Sequence, residues 1–267
     1  MTQPPETLEI LTLNIGNPSR ERAERQLKWL QRRPEDVVVL TETAPSRGCD
    51  LIAERLSKAR WEVRFPRPAE GERGVLIASR MRLAERGDDV LGYLPARAER
   101  AHLAGATLEI VGAYVPSRDD SVGKTARKRR FIEGLSESLE EAPSCGVLIG
   151  DLNIIEPAHQ PSYAWFQDWE YDFYRGLQDR GWVDAYRHCS PDGMEHSWVG
   201  YEDDGYRYDH AFVSAELAER VLTCAYVHET REHRLTDHSA MTLTLRLAGA
   251  QPLEVEESLT GEPATLF

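Results

Sequence analysis

Short apolar, strand-like runs recur along the chain between Leu8 and Leu247, and helix-like segments separate several of them. Residues 8–13 and 36–40 are two such runs, and residues 19–33 between them have the pattern of a helix. A strand, a helix and a strand in this order favour parallel neighbours in one sheet. No Pro/Gly/Ser-rich linker interrupts the series, and 267 residues suffice for one large domain. The sequence therefore predicts a single α/β domain over residues 1–248.

Composition narrows the setting of this domain. The N-terminus lacks a basic segment followed by an apolar core, and no run approaches membrane-spanning length, so we expect no signal peptide and no membrane contact. The four cysteines show no C-x-x-C spacing, which argues against a zinc ribbon or a disulfide framework. We expect a cytoplasmic monomer. Its formal net charge of −13 means that any nucleic-acid binding would need a local basic surface.

Polar side chains follow the apolar runs where the strands are expected to end. Asn14, Glu42 and Tyr114 follow three of these runs, and strand ends face the crevice where sheet proteins bind ligands. Asp151 and Asn153 follow a fourth run two residues apart, so both side chains are expected to point the same way. A carboxylate can take a proton from water, while an amide donates to developing negative charge. The pattern predicts a hydrolytic site for a phosphoester.

Nine short motifs in chain order carry a more specific signal. They are Leu13-Asn14, Thr41-Glu42, Gly74-Val75-Leu76-Ile77, Tyr114-Val115-Pro116, Gly150-Asp151-Leu152-Asn153, Gly181-Trp182-Val183-Asp184 with Arg187-His188, His196-Ser197-Trp198, Arg207-Tyr208-Asp209-His210 and Asp237-His238. In these motifs the sequence resembles the endonuclease/exonuclease/phosphatase superfamily, and within it the exonuclease III-type AP endonucleases. No single motif is strong, but the ordered set spans nearly the whole chain.

The resemblance implies a four-layered, DNase I-like sandwich of two β-sheets flanked by helices, with a divalent-metal site where the sheets meet. It makes Glu42 the principal ligand of Mg²⁺, or of Mn²⁺, since a carboxylate suits a hard cation. Asn14 would orient the groups of the metal site and contribute to it. Asp237 would add a second carboxylate, directly or through water.

The resemblance also implies catalytic roles. Asp151 would orient or deprotonate the attacking water, and Asn153 would hold the water and the phosphate in line. His238, kept protonated by Asp209, would donate to a non-bridging phosphate oxygen, while Tyr114 and the metal would stabilise the leaving oxygen. An alternative gives Tyr114 the role of activating the nucleophile, and the sequence does not choose between the two.

One motif departs from the family pattern. Family nucleases usually follow the first Asn with x-Asp/Asn-Gly-Leu/Ile-Arg, whereas here Asn14 is followed by Ile15-Gly16-Asn17-Pro18. Gly16 has no side chain, so an accessory metal ligand is missing. Whether Asn17 substitutes for it is left open.

Three further features bear on substrate binding. A run of basic residues, here called the basic run, follows Pro116: Arg118, Lys124, Arg127, Lys128, Arg129 and Arg130. In it Arg118, Arg127 and Arg129 are candidates for contacts with a phosphate backbone, although the solvated face of a helix is an equal alternative. Trp198 resembles the aromatic residue that probes the lesion pocket of AP endonucleases, and a core position is the alternative. The aromatic-rich residues 163–181 favour one helix packed on the core over an aromatic binding box.

The leading hypothesis is a metal-dependent phosphodiesterase that acts on DNA, either an AP endonuclease or a 3′-5′ exonuclease in DNA repair. The alternative keeps the chemistry but takes a small phosphoester, a nucleotide or a lipid headgroup, because a fold does not fix its substrate. A silent binding module is disfavoured, since Glu42, Asp151 and His238 are all present.

Residues 249–267 are expected to form an acidic, disordered tail. The tail ends in Leu266-Phe267, which partly resembles the short peptides that dock on a sliding clamp, and a weak clamp contact is a hypothesis.

Overall fold

The computed structural model describes residues 7–85, 87–140, 145–202 and 204–260, and it contains two large β-sheets with helices outside them and one small hairpin. The strands are β1 (Thr7–Asn14), β2 (Val37–Thr43), β3 (Glu62–Arg64), β4 (Gly74–Ser79), β5 (Ala98–His102), β6 (Glu109–Tyr114), β7 (Gly146–Asp151), β8 (Trp182–Asp184), β9 (Trp198–Val199), β10 (Gly205–Tyr206), β11 (Asp209–Ser214), β12 (Val221–Val227) and β13 (Ala240–Arg246). The helices are α1 (Arg20–Leu30), α2 (Arg47–Lys58), α3 (Val122–Glu140), α4 (Asp168–Asp179), α5 (Ala185–Cys189), α6 (Ala215–Ala218) and α7 (Glu229–Glu232), with a 3₁₀ turn at Pro95–Arg97.

The two large sheets have related connectivity. The first has the strand order β12-β13-β1-β2-β4-β3, and the second has the order β5-β6-β7-β11-β8. β1 and β2 pair in parallel across α1, as the strand-helix-strand pattern predicts, and β6 and β7 pair in parallel across α3. Antiparallel strands flank each parallel pair. The small β9–β10 hairpin lies apart from both large sheets.

Strand periodicity sorts the apolar residues into layers. In β2, Val37 and Val39 join the core between the two sheets, while Val38 and Leu40 join the core that includes residues of α1 and α2. β7 behaves likewise, since Val147 and Ile149 face the first sheet and Leu148 joins the core under α3 and α4. Successive side chains point to opposite faces of a strand, so both faces of each sheet are buried. The predicted four-layered, DNase I-like sandwich is confirmed.

The two sheets approach each other closely at Gly112 in β6. A Cβ atom at this position would lie 2.6 Å from Val39 Cγ1 and 3.0 Å from Val75 Cγ1, both in the first sheet. A real Cβ contact is not that short, so a larger residue would push the sheets apart at their centre.

The predicted helix over residues 163–181 is wrong at its start. Helix α4 begins at Asp168, where Gln167 and Glu170 form a capping box, and residues 163–166 are irregular. Phe173 and Leu177 pack in the core as expected, but Trp165 is 42% exposed. The capping signal Gln-x-x-Glu marks the true helix start, because its side chains satisfy the first free N–H groups.

Residues 250–260 of the predicted tail contact the domain. Backbone N–H groups of Leu253 and Glu256 donate to the carbonyls of Arg80 and Ala59, and Leu259 is buried against the core under α1 and α2. A few apolar residues therefore attach this segment to the domain, and its acidic composition does not predict that contact. Leu266 and Phe267 lie outside the described residues. Within the described ranges, each helix is too short or too polar to cross a bilayer.

Candidate active site

The strand ends named by the sequence meet at one cavity of about 330 Å³ between the two sheets. Tyr114 and Asp151 end the paired strands β6 and β7, and Asp209 begins β11 opposite Asp151. The cavity is lined by Asn14, Glu42, Tyr114, Ser117, Arg118, Lys128, Asp151, Asn153, Trp165, Trp198, Tyr208 and His238. Residues far apart in sequence therefore share one polar pocket.

Four buried side chains lie together as two hydrogen-bonded pairs in contact, here called the strand-end network: Asn14, Asp151, Asp209 and His238. Asn14 Nδ2 donates to Asp151 Oδ2 at 2.8 Å and lies 3.4 Å from His238 Nε2. His238 Nδ1 donates to Asp209 Oδ2 at 2.7 Å. Because Nδ1 is bound to Asp209, the Nε2 edge of the imidazole faces Asn14 and the cavity.

Electrostatics tune the proton affinities of this network. Burial opposes the charged imidazole of His238, but the charge and hydrogen bond of Asp209, together with the charges of Asp151 and Asp237, outweigh burial and raise the pKa of His238 to about 9. Burial, with the neighbouring charge of Asp209, raises the pKa of Asp151 to about 7. The site therefore holds a protonated imidazole beside a carboxyl group that exchanges its proton near neutral pH.

Glu42 reaches the cavity through an unusual backbone. Its φ is 56°, in the left-handed region, and the register between β2 and β4 shifts between Thr41 and Thr43. Such bulges re-aim a side chain, and left-handed conformations of residues other than Gly cost free energy and cluster at functional sites. The Glu42 carboxylate is 28% exposed and lies 3.7 Å from Arg73 Nε.

Asn153 is fixed just beyond the end of β7. Its φ of 48° turns the chain, and its backbone N–H donates to Asp151 Oδ1 at 2.9 Å. Its Nδ2 donates to the Val115 carbonyl at 2.9 Å. Lys128 Nζ donates to the Asn153 carbonyl at 2.6 Å, which ties the loop to helix α3.

Tyr114 is a buried phenol beside acidic groups. Burial, with the charges of Glu42 and Asp151, raises the pKa of Tyr114 well above its usual value of 10. Its hydroxyl therefore keeps its proton at neutral pH and can donate a hydrogen bond. The Arg97 guanidinium lies over the Tyr114 ring at 4.7 Å and fixes its position.

Asp237, predicted as a second metal carboxylate, is not among the residues that line the cavity. Trp198 Nε1 donates to Asp237 Oδ2 at 3.0 Å. Burial opposes the carboxylate, but the charge of His238 and the bond from Trp198 lower the pKa of Asp237. Trp198 itself lines the cavity and lies 6.0 Å from the ring of Tyr208, so the aromatic predicted to probe a substrate is in a position to touch one.

The departure at Gly16 has a structural counterpart. Gly16 has a φ of +60°, and a Cβ atom there would lie 3.4 Å from Arg22 Nη2 and 3.9 Å from Asp237 Oδ1. Arg22 donates to the Gly16 carbonyl, so a guanidinium stands close to the position of the missing side chain. Asn17 Oδ1 instead lies 4.0 Å from the Cys49 thiol.

The basic run does not form one surface. Arg118 and Lys128 line the cavity, whereas Arg127 pairs with Glu72 and Arg129 lies over the Trp169 ring at 5.0 Å. Of the cations predicted to bind substrate, the structure thus places Arg118 at the cavity and Arg127 and Arg129 away from its lining.

Sequence reasoning missed four cavity residues: Ser117, Lys128, Trp165 and Tyr208. The capping box at Gln167 was the available signal for Trp165, because it excludes that residue from the helix and from a core-facing stripe.

No protein-family model and no curated protein matches the sequence. Solved structures do match. A 3′ phosphatase NExo from Neisseria bound to product DNA hairpin is 25% identical with a TM-score of 0.76, covering 88% of this chain and 98% of that one. A 3′-5′ exonuclease (NExo) from Neisseria meningitidis is 26% identical with a TM-score of 0.75, over 88% and 98% of the two chains. The chain has the fold of the endonuclease/exonuclease/phosphatase superfamily.

An AP endonuclease from Archaeoglobus fulgidus shares the same fold, with 24% identity, a TM-score of 0.76 and coverage of 89% of this chain and 99% of that one. The resemblance that the motifs indicated, to the superfamily and its exonuclease III-type branch, is confirmed.

The donor groups at the cavity fit a hard divalent cation at Glu42. Arg73 Nε lies 3.7 Å from Glu42 Oε1, which is too far for a hydrogen bond. The Glu42 carboxylate lines the cavity together with Asn14. A second group, Asp151, Asp209 and His238, has ligand atoms within 4.8 Å of one another. We favour Glu42, because its carboxylate has no cation partner at hydrogen-bonding distance among the described residues, whereas in the second group His238 Nδ1 and Asp209 Oδ2 are already bound to each other at 2.7 Å.

Proposed function

We propose that this protein is a divalent-metal-dependent phosphodiesterase that hydrolyses DNA, as an AP endonuclease or a 3′-end-processing exonuclease in DNA repair. The observation that carries the proposal is the strand-end network, which opens on a cavity beside Glu42 and pairs a protonated imidazole with a near-neutral carboxyl group. The similar solved structures, which are named as a 3′ phosphatase, an exonuclease and an AP endonuclease, support DNA as the substrate.

Glu42 is the residue that would hold the metal, with Asn14 beside it and Asp237 as a second carboxylate, directly or through water. Mg²⁺ fits this set of oxygen donors, and Mn²⁺ is an alternative. A bound divalent ion supplies Lewis-acid stabilisation of the negative charge that develops on phosphate oxygens.

Asp151 is the general base in this proposal. Burial and Asp209 raise its pKa to about 7, so its carboxylate is basic enough to take a proton from water near neutral pH. Asn14 holds Asp151 Oδ2 and the Asn153 backbone N–H holds Oδ1, which fixes the carboxylate plane. Asn153 then aligns the water and the phosphate from the adjoining turn.

His238 and Tyr114 stabilise negative charge. The Nε2–H edge of His238 faces the cavity and donates to a non-bridging phosphate oxygen, while Asp209 keeps the ring charged and oriented. Tyr114 donates to the leaving oxygen. Its raised pKa favours this role over activation of the nucleophile, which would need the phenolate.

A second candidate is the hydrolysis of a small phosphoester, such as a nucleotide or a lipid headgroup. The net charge of −13 favours it, as does the pairing of Arg127 and Lys124 with acidic side chains rather than their presentation as a basic surface. In this reading the chemistry at the strand-end network is unchanged.

The test uses end-labelled oligonucleotides. Purified protein is incubated with an intact duplex, a duplex carrying an abasic site and a small phosphodiester, each with Mg²⁺, Mn²⁺ or EDTA. We expect metal-dependent cleavage of DNA, stopped by EDTA. If the small ester is hydrolysed while both duplexes stay uncut with Mg²⁺ and with Mn²⁺, the second candidate is selected.

Cellular setting and partners complete the proposal. The four cysteines are free thiols, and three of them are buried, which fits a reducing cytoplasm. We take the protein to be a monomer.

A weak contact of Leu266 and Phe267 with a sliding clamp is tested by deleting both residues, which should abolish clamp binding and leave hydrolysis of a short oligonucleotide unchanged. Equal binding by the two proteins would remove this role.

A further inference from the structure

Two buried cations share one carboxylate beside the cavity, in a group here called the two-cation cluster: Arg118, Lys128 and Glu170. Arg118 Nη2 lies 2.6 Å from Glu170 Oε2, and Lys128 Nζ lies 2.5 Å from Glu170 Oε1. The three side chains are 0%, 1% and 1% exposed. The cluster therefore sets two basic side chains against one carboxylate away from water, an arrangement that a further anion would stabilise.

The Arg118 guanidinium retains binding capacity. Its Nε and Nη2 donate to Glu170, and Nη2 also donates to the Trp165 carbonyl at 2.5 Å. Its buried Nη1 has no hydrogen-bond partner among the residues that the structure describes. Buried donors are nearly always satisfied, so an unpaired one at a cavity indicates a missing partner. An oxygen of a phosphate group suits it in charge and geometry.

Trp165 offers an aromatic surface next to this guanidinium. The Arg118 Cζ atom lies 5.1 Å from the Trp165 ring centroid, and the indole lines the cavity while 42% of the residue is exposed. A large exposed aromatic at a cavity suits stacking by a nucleobase, because every base has a π-face. The guanidinium lies over part of the indole, so a phosphate on Arg118 would adjoin a base stacked on the part of the Trp165 ring that stays exposed.

The two-cation cluster is joined to the reaction site. Lys128 Nζ donates both to Glu170 and to the Asn153 carbonyl, and Asn153 is held to Asp151 by its backbone N–H. A nucleotide bound at Arg118 and Trp165 would therefore neighbour the phosphodiester at Asp151.

We propose that Arg118 and Trp165 form a subsite for one unpaired nucleotide next to the cleaved bond, with its phosphate on Arg118 and its base on Trp165. A base inside a duplex has both faces covered by its neighbours, so the subsite selects single strands and frayed 3′ ends over the interior of a duplex. This inference rests on the proposed function and names its substrate class.

The first test measures binding and cleavage by Trp165→Ala, with Trp169→Ala as the matched control. Trp169 also lies near Arg118, at 5.9 Å, but does not line the cavity. In EDTA, fluorescence anisotropy with a labelled single strand should show binding weakened on the order of tenfold by Trp165→Ala, as expected for one lost stacking contact, and within twofold of the parent for Trp169→Ala. Equal binding by Trp165→Ala and the parent overturns the subsite.

The same proteins are then compared with metal on a single strand and on a duplex with an internal abasic site. Trp165→Ala should lower kcat/KM on the single strand on the order of tenfold, and on the duplex by less than about twofold. Equal losses on both substrates contradict selection for an unpaired nucleotide. Absence of DNA hydrolysis by the parent defeats the proposed function, while the binding result still decides the subsite.

The second test probes the phosphate. Arg118→Lys keeps a cation for Glu170 but loses the planar fork. Single strands carry a neutral methylphosphonate at one position beside the scissile bond. The parent should bind less tightly to the strand that carries the methylphosphonate at one of these positions than to the unmodified strand. Arg118→Lys should bind the modified and unmodified strands with equal affinity. A parent that tolerates every substitution, or a variant as sensitive as the parent, overturns the phosphate contact. Should Arg118→Lys fail to fold, Trp165→Ala still decides.

Discussion

The strand-end network and the basic run are both dense groups of polar residues, yet the fold treats them in opposite ways. Asn14 and Asp151 are 137 residues apart, and Asn14 and His238 are 224 apart, but all three meet within hydrogen-bonding distance or close to it. The basic run lies within residues 118–130, and the structure distributes it: Arg118 and Lys128 line the cavity, Lys124 and Arg127 pair with acids, and Arg129 and Arg130 lie over aromatic rings.

The difference follows from the geometry of the two elements. Strands of a packed sheet end at a common edge, so residues that close separate strands converge. Neighbouring residues of a helix are turned by about 100° from one another, so adjacent cations point in different directions. Proximity in sequence is therefore a poor guide to a charged surface on a helix, and position at a strand end is a good guide to a site.

Replacing His238 tests the strand-end network through a large loss of kcat. His238→Gln should lower kcat by about 10²- to 10³-fold, the usual loss when one donor to a developing oxyanion is removed. His233→Gln is the control, since His233 is an exposed residue that pairs with Glu229. Steady-state cleavage of labelled DNA measures both, and equal activities of the two variants would exclude His238 from the reaction.

The metal requirement tests Glu42 within the same cavity. Glu42→Gln should raise the Mg²⁺ concentration for half-maximal activity by about 10- to 100-fold, because an amide is a weaker ligand for a hard cation and even indirect partners of a metal have effects of this size. Glu54→Gln changes an exposed carboxylate that pairs with Lys58 and should leave the titration unchanged. If the dependence of activity on Mg²⁺ concentration is unchanged in Glu42→Gln, Glu42 is not a metal ligand.

The pH profile tests the protonation states of the network. Asp151 acts as the carboxylate and His238 as the imidazolium, with pKa values of about 7 and about 9. At saturating metal, kcat/KM should fall as pH drops through about 7, where Asp151 gains a proton, and fall again as pH rises through about 9, where His238 loses one. His238→Gln should lack the alkaline limb. A profile that rises steadily to pH 10 would contradict these assignments.

Salt dependence tests the basic run and gives the smallest effect. Arg127 is already paired with Glu72, whereas Arg129 is exposed. If this helix contacts a DNA backbone, Arg129→Gln should reduce the slope of log KM against log salt by about 1, while Arg127→Gln leaves it unchanged, because only a newly contacted phosphate releases counterions. Parallel slopes for the parent and both variants would make the run a solvated helix face.

Much of the fold and of the candidate site was predictable because both rest on local patterns. The alternation in β2 and the β1-α1-β2 order predict the sandwich and the convergence of its strand ends. The left-handed Glu42 was not predictable, because a β-bulge depends on the register with β4, which only the assembled sheet sets.

Other features depend on contacts across long distances. Burial of Lys128 needs Glu170 from another helix, so composition alone assigns it to the surface. The aromatic spacing of residues 163–181 predicts a helix that includes Trp165, whereas the capping box at Gln167 places the helix start after it. Leu259 packs against the core under α1 and α2, a contact that the acidic composition of its own segment does not predict.

The central claim, that the strand-end network performs the hydrolysis, is tested most directly by single-turnover cleavage of an abasic-site duplex by Asp151→Asn. Asn is nearly isosteric with Asp, so the melting temperature should stay close to that of the parent, while the rate falls by roughly 10²- to 10⁴-fold through loss of the proton acceptor. Asp119→Asn, which changes an exposed partner of Lys124, should retain the parental rate. If folded Asp151→Asn keeps more than about a tenth of the parental rate, the network is not the reaction site.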